Sequence, residues 1–552
     1  MLSKFNLNNE IEYVNKLHRK ALLYLNEKKF SKSEKLYLKI IKKNTNDSIA
    51  LLNLGVIAEK LNKLEKAISY FEKTIKLGPE NYTAYYNIAN VYKKQKNYEK
   101  AILNYNKAIE LNPNNILAYN NLGTLFCDIR NYKASHEMFN KILKINQNFY
   151  QAYNNLLMNC CYWKNDINYL NIAKRYNDSI KTYKENFLSS LKYKEKIPKI
   201  GFVSADLRNH SVGYFLNNIL KSLKKRKLKL YAYYNYNLYD NITKSLQEIF
   251  HSWNEIYKMN DLDVIKTLRK DNLDILFDLS GHTPGNRLAV FKNRCASTQM
   301  TWCGWLASSG IKEMDYIVGD PYATPLKDKN KFTEKIYQLD NILFCLSKSD
   351  LILDLKIEKN NEKNIVFGCF NKTNKIKQDV ISAWSKILLK VKNSKLFLKN
   401  ENYISPFIRN NILNEFKKHG VISDKILFEN YSPRLKYFNA YNKIDINLDT
   451  FPWNGGITSF ESTFMGVPTL TMENNNSFYL RIGESINSNQ NMIKWIAKNE
   501  DDYIKKAIEF AENKEYLSNT KKEIRNNALK SPLFDVEGFA EDFYKMLSSM
   551  LK

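Results

Sequence analysis

The sequence runs to 552 residues, too long for one ordinary hydrophobic core, so two or three domains are expected. Its formal net charge of +28 is mostly lysine spread along the chain beside abundant Asn and Ile, a compositional bias that no nucleic-acid motif accompanies, so no nucleic-acid partner is inferred. The seven cysteines, Cys127, Cys160, Cys161, Cys295, Cys303, Cys345 and Cys369, lack metal-type spacing and are too sparse for a disulfide framework; the N-terminus MLSKFNLNNEIEYVNK lacks the apolar core of a signal peptide, and no apolar run reaches membrane-spanning length, so a soluble, cytoplasmic chain without a metal site is expected.

The first part of the chain repeats at an interval of 34 residues, the tetratricopeptide period. Ala50, Ala84, Ala118 and Ala152 fall in register, as do Leu54, Ile88, Leu122 and Leu156, and in the second half of each unit Tyr37, Phe71, Tyr105 and Phe139. Small residues let paired helices approach, aromatic residues fill the gaps, and Pro79 and Pro113 end one unit before the next begins. A weaker first unit over residues 13–46, with Lys16 where the others have Ala, reads as a cap. An α-solenoid is therefore predicted over residues 1–157. The same register holds Asn53, Asn87, Asn121 and Asn155. Asparagine is common in this chain, but four in phase form a row of amides along one face, suited to paired contacts with an extended polypeptide. Residues 158–198, including Cys160-Cys161-Tyr162-Trp163, read as a helical connector that carries no chemistry.

From Lys199 short apolar runs alternate with helical stretches, which predicts an α/β region with a mainly parallel sheet. Residues 200–204 read as a buried strand, and Asp206, Asn209 and His210 follow at its C-terminal end, where open α/β sheets bind ligands. On local grounds His210 reads equally as a loop anchor or as an active-site group. Further strands are expected near residues 228–234 and 275–277, the latter running into Asp278-Leu279-Ser280-Gly281-His282-Thr283-Pro284. Asp278 and His282 suit a catalytic loop, or they simply bond each other to fix the turn. This first lobe is assigned to residues 199–350.

The second lobe, residues 351–552, opens with a strand at 365–370, after which residues 371–376 lead into a helix with Ile381, Trp384, Ile387 and Leu388 on its apolar side. Lys375 in that connection reads locally as a solvated lysine. A strand at 444–448, the turn Pro452-Trp453-Asn454-Gly455-Gly456 and a helix starting near Thr458 follow. Adjacent glycines admit close backbone approach, and the free N–H groups of a first helical turn suit a diphosphate. Glu461 is either a partner of the helix dipole or an acceptor for ribose hydroxyls. Residues 501–552 read as helical and as closing the lobes together.

The order LDTFPWNGG, then Glu461-Ser462 and Met465-Gly466-Val467-Pro468, resembles the C-terminal lobe of the soluble protein O-GlcNAc transferases, and is closer to the bacterial and plant SPINDLY-type branch than to the animal enzymes. VSADLRNHSVGYF, the DLSGHT loop and FGCFNKTNKIKQDVISAW resemble further segments of that family. The resemblance implies a two-lobed GT-B glycosyltransferase of two Rossmann-like lobes behind the repeat array. It implies inverting, metal-independent transfer of N-acetylglucosamine from UDP-GlcNAc, a co-substrate, to Ser and Thr hydroxyls, with no cofactor. A SPINDLY-type O-fucosyltransferase using GDP-fucose, or a catalytically silent scaffold, are the alternatives. In this scheme Lys375 contacts the donor diphosphate, Lys372, Gly455, Gly456, Ile457 and Thr458 line the same site, Glu461 serves the ribose, and Tyr437 stands near the base, where many relatives have histidine. His210 positions the acceptor hydroxyl or relays its proton, direct transfer to a donor phosphate being the rival, and His282 has a secondary catalytic role. The row Asn53, Asn87, Asn121 and Asn155 matches the family's acceptor-binding ladder. Leu306-Ala307 and Lys372 depart from the family pattern, which usually has Pro-Gly and an amide side chain there.

Overall fold

The in-phase residues of the first part become the buried faces of paired helices. In the computed structural model the described residues are 2–163, 169–183, 197–348, 355–357, 364–473 and 481–551, and the chain divides into two units, Met1–Asn146 and Gln147–Lys552. The first unit is four helix pairs: Leu2–Asn26 with Phe30–Lys43, Ser48–Lys60 with Leu64–Leu77, Tyr82–Lys94 with Tyr98–Leu111, and Ile116–Asp128 with Tyr132–Ile145. Asp47, Asn81 and Asn115 cap the first helix of successive pairs by accepting from the N–H of Ala50, Ala84 and Ala118 at 2.8, 3.1 and 3.1 Å. Part of the asparagine excess is thus helix capping, because a short side-chain oxygen satisfies an N–H that the helix itself leaves open. Gly55 and Gly123 lie against Phe71 and Phe139; a Cβ would stand 2.5 and 2.7 Å from those rings, so the close approach of the paired helices requires glycine there. The helix Tyr150–Tyr162 shares the repeat register but belongs to the second unit.

The second unit contains two sheets, parallel throughout among the described residues. The first runs β1 (Lys199–Ser204), β2 (Lys229–Tyr234), β3 (Ser252–Glu255), β4 (Leu273–Asp278), β5 (Ala296–Thr301), β6 (Tyr316–Gly319) and β7 (Lys335–Gln338) in the spatial order β3-β2-β1-β4-β5-β6-β7. The second runs β8 (Ile365–Cys369), β9 (Ser394–Lys399), β10 (Ile426–Glu429), β11 (Ile446–Leu448), β12 (Thr469–Met472) and β13 (Ile496–Ala497) in the order β10-β9-β8-β11-β12-β13. Both are doubly wound. Strand order reverses between β1 and β4 and again between β8 and β11, and the loops leaving those four strands open a crevice at each reversal.

The chain enters the second lobe after Leu346 and comes back. The helix Val536–Met550 packs on Ser211–Lys224 of the first lobe, burying Phe543, which lies 4.6 Å from Trp302 and 5.5 Å from Phe277 between ring centroids. Burying one such side chain contributes roughly 2–3 kcal/mol, so the last helix is part of the first lobe's core. The outgoing and returning segments lie side by side, with the Leu346 N–H donating to Leu533 O at 3.0 Å. Deeper between the lobes, Ser485 Oγ donates to the fully buried Asp320 carboxylate at 2.7 Å. No helix among the described residues is long and apolar enough to cross a membrane.

Candidate active site

The loops after β1, β4, β8 and β11 enclose a cavity of about 630 Å³ between the lobes, lined by His210, Lys372, Lys375, Gly456, Ile457 and Thr458, with Met158, Cys161 and Tyr162 of the helix Tyr150–Tyr162 on its wall. Lys375 lies on the short turn Thr373–Lys375; the helix begins later, at Gln378, because this turn inserts between strand and helix. The half-buried Lys375 ammonium donates to Asn454 O at 2.6 Å and stands 5.0 Å from the Trp453 ring centroid. Burial lowers its pKa to about 8, with the Asp449 carboxylate opposing the shift and Lys372 adding to it. It is therefore charged at neutral pH and sensitive to its surroundings.

Asp449, at the end of β11, is fully buried and organises this corner. One carboxylate oxygen accepts from Asn371 Nδ2 at 3.0 Å, the Thr450 N–H at 2.9 Å and the Gly455 N–H at 2.6 Å, and the other from Thr471 Oγ1 at 3.0 Å. Burial pushes its carboxyl up to about 6 against these bonds. Asn371 in turn accepts from Thr458 Oγ1 at 2.6 Å, tying the loop after β8 to the first turn of Ile457–Phe464. That helix follows Gly456 with no side-chain cap, and Gly456, Ile457 and Thr458 at its start line the cavity. A Cβ on Gly455 would stand 2.6 Å from Ser459 Oγ and 2.7 Å from Thr458 Oγ1, whereas one on Gly456 would meet no protein atom within 4 Å.

A second cavity of about 400 Å³ adjoins the first, sharing Ser211, Phe370 and Ile457, and is lined by Lys399, Arg434, Tyr437 and Glu461. Glu461 is buried and its carboxyl is pushed up to about 7 by burial, while the Tyr437 hydroxyl donates to it at 2.8 Å. Tyr437 thus reaches the carboxylate, and its ring meets Phe370 edge-on at 5.7 Å. The buried Asn454 Oδ1 on the first cavity and Ser432 Oγ on the second have no hydrogen-bond partner among the described residues. Each leaves about 1–3 kcal/mol of desolvation uncompensated, which a polar ligand would offset.

His210 caps the helix Ser211–Lys224, its Nδ1 accepting a long bond from the Val212 N–H at 3.4 Å with Asp206 Oδ1 3.7 Å away. Its side chain is 40% exposed, and burial outweighs Asp206 to lower its pKa, which leaves the ring neutral near pH 7. His282 is placed differently. It is buried, absent from the cavity wall, and both ring nitrogens are engaged, Nδ1 with Asn154 Oδ1 at 2.7 Å and Nε2 with Ser309 O at 3.0 Å. Nor does it bond Asp278, whose carboxylate takes the Gly281 N–H at 2.8 Å and Thr301 Oγ1 at 3.1 Å. His282 ties the loop after β4 to the helix Tyr150–Tyr162.

Within the first unit Asn53, Asn87 and Asn121 occupy equivalent half-buried positions. Asn53 Nδ2 donates to Ile49 O at 3.0 Å, and Asn121 Nδ2 to Asn90 Oδ1 at 2.9 Å and to the Tyr86 hydroxyl at 3.1 Å. Asn155 belongs to the second unit and is likewise half-buried. Asp449, Asn371, Trp453 and Lys399 were not singled out by sequence reasoning. Asp449 and Trp453 stand in LDTFPWNGG and Asn371 in FGCFNKTNKIKQDVISAW, but only the fold gives them partners.

Among known proteins, the model of glycosyl transferase family 41 matches residues 175–360 and 355–543, and tetratricopeptide repeat models match 48–81, 82–115 and 104–137. The chain is 33% identical over 300 residues to a protein of Eustoma exaltatum subsp. russellianum named probable UDP-N-acetylglucosamine--peptide N-acetylglucosaminyltransferase SPINDLY, covering 54% of this chain and 33% of that one. The protein of the same name from Solanum lycopersicum is 30% identical over 365 residues, covering 64% of this chain and 39% of its own. The chain therefore spans well under half the length of these curated relatives. A mutant O-GlcNAc transferase of Thermobaculum terrenum shares the fold with a TM-score of 0.82 at 23% identity, over 91% of this chain and 97% of that one.

Proposed function

This chain belongs to glycosyl transferase family 41, and on that premise we propose that it transfers N-acetylglucosamine from UDP-GlcNAc to Ser and Thr hydroxyls of proteins, with inversion and without a metal. The observation that carries this reading is that Lys375, the uncapped helix start at Gly456 and His210 open on one cavity between two doubly wound lobes.

The donor diphosphate lies over the helix start and Lys375, with Lys372 adding positive charge, and the nucleoside enters the second cavity beside Glu461 and Tyr437. The acceptor oxygen attacks the anomeric carbon from the face opposite the diphosphate. As the new C–O bond forms, the old one breaks and its electron pair leaves on the β-phosphate. The lysine ammonium and the helix N–H groups are already aimed at that charge, and no reorganisation is needed when it develops. The acceptor proton goes to His210 Nε2, or directly to a donor phosphate oxygen. For the first route His210 must carry its own proton on Nδ1, facing Asp206 3.7 Å away, so Nδ1 gives up the bond it accepts from the Val212 N–H. Acceptor proteins are bound through the repeat array and its asparagine row.

Label transfer from UDP-GlcNAc and, in parallel, GDP-fucose to a protein extract tests the reading. Transfer from UDP-GlcNAc, abolished in Lys375→Ala, is the expected result; transfer from GDP-fucose alone replaces the donor, and no transfer from either by a folded chain overturns the reading in favour of another donor or a scaffold.

A further inference from the structure

The connector helix Tyr150–Tyr162 touches both lobes beside the cavity, and its two contacts are chemically distinct. Near one end Asn154 bonds His282 of the loop after β4; at the other the Tyr162 ring stacks on Trp453 of the loop after β11, with centroids 4.6 Å apart and planes inclined by 29°. Eight residues of helix separate these anchors, about 12 Å at 1.5 Å per residue, so one rigid element spans from the first lobe to the second. The same Trp453 indole stands 5.0 Å from the Lys375 ammonium, and the next residue supplies the carbonyl that accepts from it. Thr450 Oγ1 donates to Trp453 O at 2.6 Å and Asn454 Nδ2 to Thr450 O at 3.1 Å, which fixes the backbone of this turn from within. The indole itself is held by Tyr162.

From this arrangement we propose that Tyr162 is a positioning residue for Lys375, acting through Trp453: its ring pins the indole that covers the ammonium, and so sets where the positive charge stands and how much water reaches it. The contribution belongs to the aromatic face. An aromatic pair gives more than its buried area alone, and a cation over an indole gains as water is excluded. The inference rests on the transferase reading for its kinetic readout, but the site itself is tested by nucleotide binding as well.

The full-length chain and its Tyr162→Phe, Tyr162→Ala and Tyr162→Leu variants are compared for kcat and donor KM across neutral to alkaline pH, and for UDP and GDP affinity by calorimetry over the same range. The phenylalanine variant keeps the stack and stays within about twofold of the native chain. The alanine and leucine variants lose about three- to tenfold in kcat with little change in donor KM, the size of one aromatic pair. In both, the alkaline fall of activity and of nucleotide affinity moves to higher pH, because water reaching Lys375 relieves the burial that lowers its pKa. Leucine retains much of the packing volume, so the pair of variants separates a missing ring from a collapsed helix. Native kcat in Tyr162→Ala, a loss with an unmoved alkaline limb, or a phenylalanine variant as impaired as alanine each overturns the proposal. A native chain that transfers from neither donor removes the transferase reading and leaves the nucleotide titrations to decide; one that binds neither nucleotide overturns both.

Discussion

At the scale of single residues the chemistry concentrates on Lys375 and Asp449. The ammonium is charged below about pH 8 and neutral above it, so the stabilisation proposed for a leaving diphosphate is present at neutral pH and lost as pH rises through that value. Asp449 acts in the opposite sense to Tyr162, because its negative charge favours the protonated lysine. In Asp449→Asn the alkaline limb of kcat/KM moves to lower pH, and a pH series of initial rates checks the direction. Lys375 is a residue whose setting no local pattern displays. In sequence it is one lysine in a lysine-rich chain, and only the resemblance of its surrounding segment singled it out. Its carbonyl acceptor Asn454 lies 79 residues away, and the bond from Thr458 to Asn371 that ties the two loops spans 87. His282 illustrates the same point. Its partner Asn154 is 128 residues distant, and without it an Asp and a His in one short loop suggest catalysis.

At the scale of elements, the turn into the helix Ile457–Phe464 separates stability from binding within two adjacent glycines. Gly455→Ala drives a Cβ into Ser459, Thr458 and Asn371, so it lowers the melting temperature by several degrees, about 1–3 kcal/mol. Gly456→Ala leaves the interior untouched but sets a methyl group beside the open N–H groups, so nucleotide affinity falls while the melting temperature holds; thermal melts beside calorimetric titrations separate the two. The strand–loop–helix order of this region was legible because buried parallel strands read as short apolar runs that end abruptly in polar, glycine-rich turns. The repeat helices were legible for a similar reason, since Ala50, Ala84 and Ala118 are all fully buried and must recur where helices meet. The helix Tyr150–Tyr162 was legible as a helix, because Ala152 and Leu156 keep the repeat register, but its contacts were not: the bond of Asn154 to His282 and the stacking of Tyr162 on Trp453 are products of tertiary structure alone.

At the scale of the whole molecule, the proposed division of labour places acceptor recognition on the array and chemistry between the lobes. Replacing Asn53, Asn87 and Asn121 together by alanine is expected to reduce modification of protein acceptors several-fold, while modification of a short Ser-containing peptide changes little. Parallel assays on the two acceptors, with a thermal melt to confirm the array, check this. Asn121 already bonds Asn90 and Tyr86, so part of the row holds the array's own surface together as well as presenting amides.

The doubled crossing between the lobes has a mechanical consequence. A single linker acts as a swivel, free to twist as well as to bend. Two segments running side by side and bonded to each other, as Leu346 and Leu533 are, resist twisting and leave bending about one axis as the compliant motion. A bend about that axis would be book-like, carrying the loops after β1 and β4 along one arc towards the same face of the loops after β8 and β11. Registration of the two halves of the site is inherited from the spine of the book.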